Sequence, residues 1–408
     1  MTKQNEKDAK RVPELRFKGF TDDWEQRKLG EIATIVGGGT PSTKNPEYWD
    51  GDINWYSPAE IGNQIYTVKS ERQITELGLK KSSAKLLPVG TVLFTSRAGI
   101  GKTAILNKEA CTNQGFQSII PRPKILNSYF LFSRTNSLKQ YGETMGSGST
   151  FVEVSGKQMS KMPLFIPNIN EQSKIAKLFQ SLDKTITLHE EQHRRLEQLK
   201  KALLQKMFAD ETGYPALRFK GFAEKWDQRK FSELYSKNVE RNSTNEFNFD
   251  KTISIAKMRY NSEGNGASKK SLQNYKVIRI GDVAFEGHTN KEFQYGRFVV
   301  NSLGNGIMSP RFAVLRPIRP TVVNFWKYYL YNERSMNRIL VRATKAGTMM
   351  NELVYSDLAK EKIKVPIEKE QLEIGNLFSI VDKTITLNDK KIQYLKQLKR
   401  GLLQKMFV

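Results

Sequence analysis

EQSKIAKLFQSLDKTITLHEEQHRRLEQLKKALLQKMF, residues Glu171–Phe208, returns as EQLEIGNLFSIVDKTITLNDKKIQYLKQLKRGLLQKMF, residues Glu370–Phe407. The two align without a gap at an offset of 199, with 21 identities in 38 positions. Neither copy contains Pro, and both end in strong helix formers apart from Gly401. Apolar residues recur at three and four: Leu178, Leu182, Ile186, Leu196, Leu199, Leu203 and Met207 in the first copy. The second has Leu377, Val381, Ile385, Ile392, Leu395, Leu398, Leu402 and Met406. A stripe this narrow and this sustained predicts a coiled-coil seam. The seam positions expected to meet are Leu182, Ile186, Leu196 and Leu203 with Val381, Ile385, Leu395 and Leu402. Each helix would be about 55 Å long.

Outward from the helices, a second pair appears. PELRFKGFTDDWEQRK (Pro13–Lys28) matches PALRFKGFAEKWDQRK (Pro215–Lys230) at an offset of 202. Between the two pairs, LPVGTVLF (Leu87–Phe94) matches IRIGDVAF (Ile278–Phe285) at an offset of 191. The offset drifts, so the middle has gained and lost loop residues while its frame persists. The order is globule, helix, globule, helix, with domains expected at 1–166, 167–210, 211–366 and 367–408. The first helix leads out of one globule and delivers the next at its far end. Packing the two stripes together then runs the second helix back antiparallel, which gives a pseudo-two-fold internal repeat.

The globules read as α+β, or mixed α/β. Short β-branched runs sit between turn residues at Ile32–Val36, Thr91–Thr95, Ser118–Ile120 and Leu164–Ile166. The second globule has Thr252–Ile255, Gly281–Phe285, Arg297–Val300 and Arg311–Leu315. One amphipathic helix is expected in each, near Asn127–Gly142 and Val323–Ala343. Long polar loops join them: Gly37–Asn45, Ser96–Thr103, Gly146–Thr150, Tyr260–Lys270, His288–Gly296 and Asn301–Arg311.

The 408 residues carry 66 Lys and Arg against 42 Asp and Glu, a net charge of +24. The two globules hold +7 and +11 of this and each helix +3. Such a field attracts phosphates and points to a nucleic acid rather than a small neutral substrate or a membrane. A single cysteine, Cys111, excludes a disulfide framework and a Cys-based zinc site, and suits a reducing cytoplasm. The opening MTKQNEKDAKR is too polar for a secretory signal, and no apolar run is long enough to span a membrane.

Several motifs suggest catalysis and fail on inspection. HEEQH (His189–His193) spells the zinc-protease pattern, but both His lie on the apolar stripe and the second copy has Asn388 and Ile392 there. A polar residue on a seam more often sets register. SRAGIGKT (Ser96–Thr103) has Ser where a Walker A loop needs Gly, so it reads as a basic loop able to touch a phosphate. NPEY (Asn45–Tyr48) lacks the second Pro of an amino-methyltransferase motif, and no E-x-K nuclease pair occurs. No metal or cofactor site and no active site is expected in this chain.

What remains is binding chemistry. The loops mix cations, amides, hydroxyls and aromatics, the groups that pair with base edges and neutralise phosphate. The candidates in the first globule are Thr40, Ser42, Lys44, Trp55, Arg97, Lys102, Thr103, Asn113 and Gln114. Those in the second are Arg259, Tyr260, Lys269, Lys270, His288, Lys291, Tyr295, Arg297 and Arg311.

The paired LRFKGF…W…RK segments, the paired DKTITL (Asp183–Leu188, Asp382–Leu387) and the paired LLQKMF (Leu203–Phe208, Leu402–Phe407) resemble the specificity subunit of type I restriction–modification systems. GGGTPSTKNPEYWDGDINW (Gly37–Trp55) and TNQGF (Thr112–Phe116) also resemble a target recognition domain of that family. The resemblance implies two target recognition globules, each reading half of a split double-stranded DNA site, on a helical ruler. It further implies two modification (methyltransferase) subunits and restriction subunits as partners. S-adenosylmethionine, ATP and Mg are then expected in those partners and not in this chain. The second globule lacks a GGGTPS-like loop, so its reading residues do not follow from the first. Two other classes compete: a coiled-coil assembly scaffold and a single-chain DNA-modifying enzyme. Binding to a split DNA site separates the first, and catalysis by the chain alone separates the second.

Overall fold

Asn168 opens the first long helix, its Oδ1 accepting from the backbone N–H groups of Asn170 and Glu171 at 3.1 and 3.0 Å. That satisfies donors which a helix start otherwise leaves orphaned. The helix runs Ile169–Lys206 and its repeat runs Glu368–Lys405, each 38 residues. In this computed structural model, residues 12–62, 64–97, 99–146, 153–261 and 269–408 are described. Residues 1–11, most of the Gly146–Thr150 and Tyr260–Lys270 loops and the Lys269 side chain lie outside them.

The chain divides into two units. The first comprises residues up to 189 together with 392–408, and the second comprises 190–391. Each unit therefore holds one globule and a portion of both long helices. In the first, Phe179 meets Phe407 with ring centroids 5.8 Å apart, and Asp183 meets Lys399. Rising numbers on one helix meet falling numbers on the other, so the helices run antiparallel. In the second, Phe378 stacks on Phe208 at 5.8 Å and Asp382 meets Lys200, again antiparallel.

The seam is narrower than the stripe. Ile186, Leu203, Val381 and Leu395 are buried, and Leu182, Leu196, Ile385 and Leu402 are half-buried. Leu199 and Leu398 are instead exposed, at 47% and 38%. A pair of helices has one contact line, so an apolar residue one step off it faces water.

Each globule is built on the same four-stranded antiparallel sheet. In the first unit the order is Ala33–Gly37, Gln117–Pro121, Val92–Phe94, Thr103–Ile105. In the second it is Tyr235–Lys237, Ala313–Pro317, Val283–Glu286, Arg297–Val300. The faint LPVGTVLF/IRIGDVAF match is thus the inner strand of both sheets. The lead-in strands Glu25–Lys28 and Asp227–Lys230 pair with Pro163–Ile166 and Lys362–Val365, just ahead of each long helix. The single helix expected in each globule is two: Ser128–Ser133 with Thr135–Gly146, and Val323–Tyr331 with Glu333–Ala343. Asn332 breaks the second pair by going extended and accepting from the Ser335 N–H. Asx side chains offer the backbone that alternative to helix.

The repeated LLQKMF endings plug these cores. Phe407 packs against Trp24, Phe130 and Phe179 in the first unit, and Phe208 against Phe325, Tyr329 and Phe378 in the second. The end of each long helix is thereby part of a globule's core. Among the described residues no helix is long and apolar enough to cross a membrane.

Candidate DNA-reading surface

The loop after Gly37 is shaped by close approach. A Cβ on Gly38 would lie 2.0 Å from the Asn113 carbonyl, and one on Gly39 would lie 2.3 Å from Ser83 Oγ. The Gly39 N–H donates to Thr112 O at 2.8 Å. Two indoles then fasten the loop: Trp55 Nε1 donates to Gly39 O at 2.8 Å and Trp49 Nε1 to Ser42 O at 3.2 Å. Thr40 donates to Gln114 Oε1 at 2.5 Å and joins the loop to the turn at Asn113. Ser42, Lys44 and Gln114 are left exposed, with Asn113 half-buried beside them.

Trp55 and Thr103, expected among the binding side chains, are buried. The Trp55 ring meets Trp49 edge-on at 5.2 Å, and the Thr103 hydroxyl pairs with that of Thr135 at 2.7 Å. They position the loop instead of presenting a group to a ligand, because the strand that carries each one faces the core. Two amides of the Ser96–Thr103 loop turn back onto the strand before it. The Gly101 N–H donates to Thr95 O, and the Lys102 N–H to Thr95 Oγ1. Its outward cation is the exposed Lys102, with Arg97 half-buried.

In the second unit Arg297 is likewise consumed. Its Nε donates to Glu286 at 2.6 Å, its Nη1 to the Tyr331 hydroxyl at 2.9 Å and its Nη2 to Ala256 O at 3.3 Å. It clamps the loop, as does Tyr260, whose hydroxyl donates to Asn305 O at 3.1 Å under the Lys251 ammonium. Arg259, Lys270, His288, Lys291, Tyr295 and Arg311 are exposed. His288 rests edge-on against Phe312.

Sequence reasoning missed how many cations are already paired. Glu240 holds both Arg279 and Arg316, and Asp282 holds Arg316 again at 2.9 Å. The hydrogen bonds to Glu240 and Glu246 push Arg279 above its ordinary range. It also missed Arg72, whose guanidinium lies 3.5 Å over the Trp49 ring. No spacing in the sequence marks either arrangement. Among the described residues no group of three or more His, Cys, Asp or Glu could hold a metal ion. The His193 Nδ1 is buried with no partner, and Asn388 is buried.

Compared with known proteins, the chain matches the type I restriction modification DNA specificity domain twice, over residues 21–198 and 199–397. The chain belongs to that family. It is a specificity subunit with two recognition domains, the role of its relatives in restriction–modification complexes. It is 28% identical to the type I restriction enzyme MjaIX specificity subunit of Methanocaldococcus jannaschii, over 94% of this chain and 92% of that one. It is 31% identical to the EcoR124I/EcoR124II specificity subunit of Escherichia coli over 41% of this chain and 43% of that one. The fold resembles the crystal structure of the type I S subunit from M. genitalium, with a TM-score of 0.60 and 13% identity. That likeness covers 97% of this chain and 99% of the other. The two matched stretches fall largely one in each structural unit.

Proposed function

We propose that residues 1–166 and 211–366 are the two reading domains, each taking one half of an asymmetric, bipartite site in double-stranded DNA. Segments 167–210 and 367–408 then act as the spacer and carry two modification subunits, with restriction subunits joining the assembly. The chain itself contributes recognition and no catalytic group. One observation carries this reading: the same sheet order is built twice, and its loops diverge. The first unit adds a three-stranded sheet of Arg72–Ile74, Trp49–Tyr56 and Ala110–Thr112. Among its described residues the second has there the short pairs Ile253–Ser254 with Arg259–Tyr260, and Lys276–Ile278 with Gly306–Met308. A shared frame with unlike reading loops gives unlike half-sites.

In the first domain Ser42, Lys44, Lys102, Asn113 and Gln114 face the DNA, with Arg97 at the edge and Thr40 orienting Gln114. In the second, Arg259, Lys270, His288, Lys291, Tyr295 and Arg311 do so. Amides and guanidinium groups serve base edges and the Lys serve phosphates. Modules reading one face of DNA prefer centres about one turn apart, ~34–36 Å, a distance that helices of ~55 Å can hold.

The test is a domain exchange. Residues 209–369 are replaced by those of a relative, and methylated positions are mapped in cells carrying the partner subunits. One half-site should change and the other stay. A single continuous site, or a change in both halves, overturns the proposal.

A further inference from the structure

Three residues recur at one offset of 199 although they lie far apart in the chain: Tyr129 and Tyr328, Asp183 and Asp382, Lys200 and Lys399. In the first unit the Tyr129 hydroxyl donates to Asp183 Oδ2 at 2.8 Å, and Lys399 Nζ donates to Asp183 Oδ1 at 2.6 Å. In the second, the Tyr328 hydroxyl donates to Asp382 Oδ2 at 2.6 Å, and Lys200 Nζ lies 2.8 Å from Asp382 Oδ1. Each Asp thus stands on one long helix. One of its oxygens is held by a helix of the globule and the other by the opposite long helix.

Between the Phe407 and Phe208 plugs, the seam discriminates register less sharply than a charge does. Its apolar members are Leu, Ile, Val and Met spaced by three and four, so a slip of one turn sets apolar against apolar again. A charge on a seam does not tolerate the slip, because moving it leaves a carboxylate and an ammonium unpaired in a poorly hydrated place. Asp183 is buried, and Asp382 is 29% exposed at its side chain. Other polar seam positions differ between the copies, His189 against Asn388 and His193 against Ile392. The Tyr–Asp–Lys set, which joins the two long helices, is kept whole in both.

We infer that Asp183 and Asp382 are register pins: positioning residues that fix how far one long helix lies along the other, and so the number of unread base pairs between the half-sites. This rests on the reading of the helices as the spacer. A slip of one turn moves a helix by about 5.4 Å, between one and two base-pair steps of ~3.4 Å.

The experiment uses the full chain with its modification subunits. The probe is a plasmid library carrying the two mapped half-sites at every spacer length. Wild type methylates one spacer. Asp183→Asn with Asp382→Asn should lose roughly tenfold of the preference over spacers one or two base pairs away, with half-sites unchanged. Tyr129→Phe with Tyr328→Phe keeps both rings and removes one hydrogen bond from each Asp. It should relax the preference in the same direction, and it decides the matter if the Asn protein does not accumulate. Asp183→Lys with Lys399→Asp should regain the preference that Asp183→Lys alone loses; Asp382 stays in place because Lys327 lies 3.7 Å from its Oδ2. Full preference in the Asn and Phe proteins, or no recovery in the exchanged one, overturns the pins. A one-turn insertion in both helices separates the two ideas. If it leaves the spacer unchanged, the ruler fails and the pins fall with it. If it moves the spacer while the Asn protein keeps its preference, only the pins fail.

Discussion

Arg16 delivers Nε and Nη2 to the two carboxylate oxygens of Glu171, at 2.7 and 2.8 Å, and Arg218 repeats the contact on Glu370 at the same distances. The Arg of LRFKGF thereby ties the lead-in segment of each globule to the first turn of its long helix. Both Glu side chains are shielded from water.

Removing one partner should therefore cost more than removing both. Arg16→Met strands a buried carboxylate and should lower stability by about 3–5 kcal/mol. Adding Glu171→Gln should recover part of that loss. Urea unfolding of the single and double variants checks it.

Burial pushes the Asp382 carboxyl up, but the hydrogen bonds from Lys200 and Tyr328 and the charges of Lys200 and Lys327 outweigh it and hold it below its ordinary range. A carboxyl depressed in the folded state adds stability above its unfolded value of about 3.9, and that stability is lost as pH falls through the folded value. Asp382→Asn should flatten the stability–pH curve in that acid window and leave its slope near neutrality unchanged, as seen by thermal unfolding from pH 2 to 7.

Cys111 is buried, and burial pushes its thiol up to about 12. The thiolate is the reactive form. The folded protein should not react with a thiol-specific chromogenic reagent at pH 8, and one equivalent should appear on adding denaturant. Prompt reaction would mean that the strand Ala110–Thr112 opens.

Lys44 and Lys291 are exposed, whereas Arg297 is enclosed by Glu286, Tyr331 and Ala256. Lys44→Ala or Lys291→Ala should weaken DNA binding alike for all sequences. Each should also reduce the slope of log affinity against log salt by about 0.9. Arg297→Ala should lower the unfolding temperature instead, because it leaves the Glu286 carboxylate unpaired. Salt titrations beside thermal melts distinguish the two.

Leu395 is buried on the seam. Leu395→Asp places an unpaired carboxylate there and should cost several kcal/mol, read as lost assembly with the proposed modification subunits or lost soluble protein.

The duplicated helices, the antiparallel sense of their pairing and three of the four strands in each globule's sheet were legible in the residues, whereas Thr103–Ile105, Tyr235–Lys237 and the strand Trp49–Tyr56 were not. Periodicity and internal identity are local or pairwise properties that a chain carries openly. Leu203, Val381 and Leu395 could be placed on a seam because period-3.5 burial follows from helix geometry alone. Leu199 and Leu398 could not be placed off it, since only the packed partner determines which apolar residues lie on the contact line. The proposed reading surface was legible only as a list. Lys44, Gln114 and Arg311 face solvent, while Trp55, Thr103 and Arg297 are committed inside, yet their residue types are equally apt for DNA. That division depends on which acceptors lie within about 3 Å, and those come from far along the chain: Gly39 for Trp55, Thr135 for Thr103, Glu286 and Tyr331 for Arg297. The same holds for the Tyr–Asp–Lys pins, whose members are separate in sequence and meet only when the helices pack.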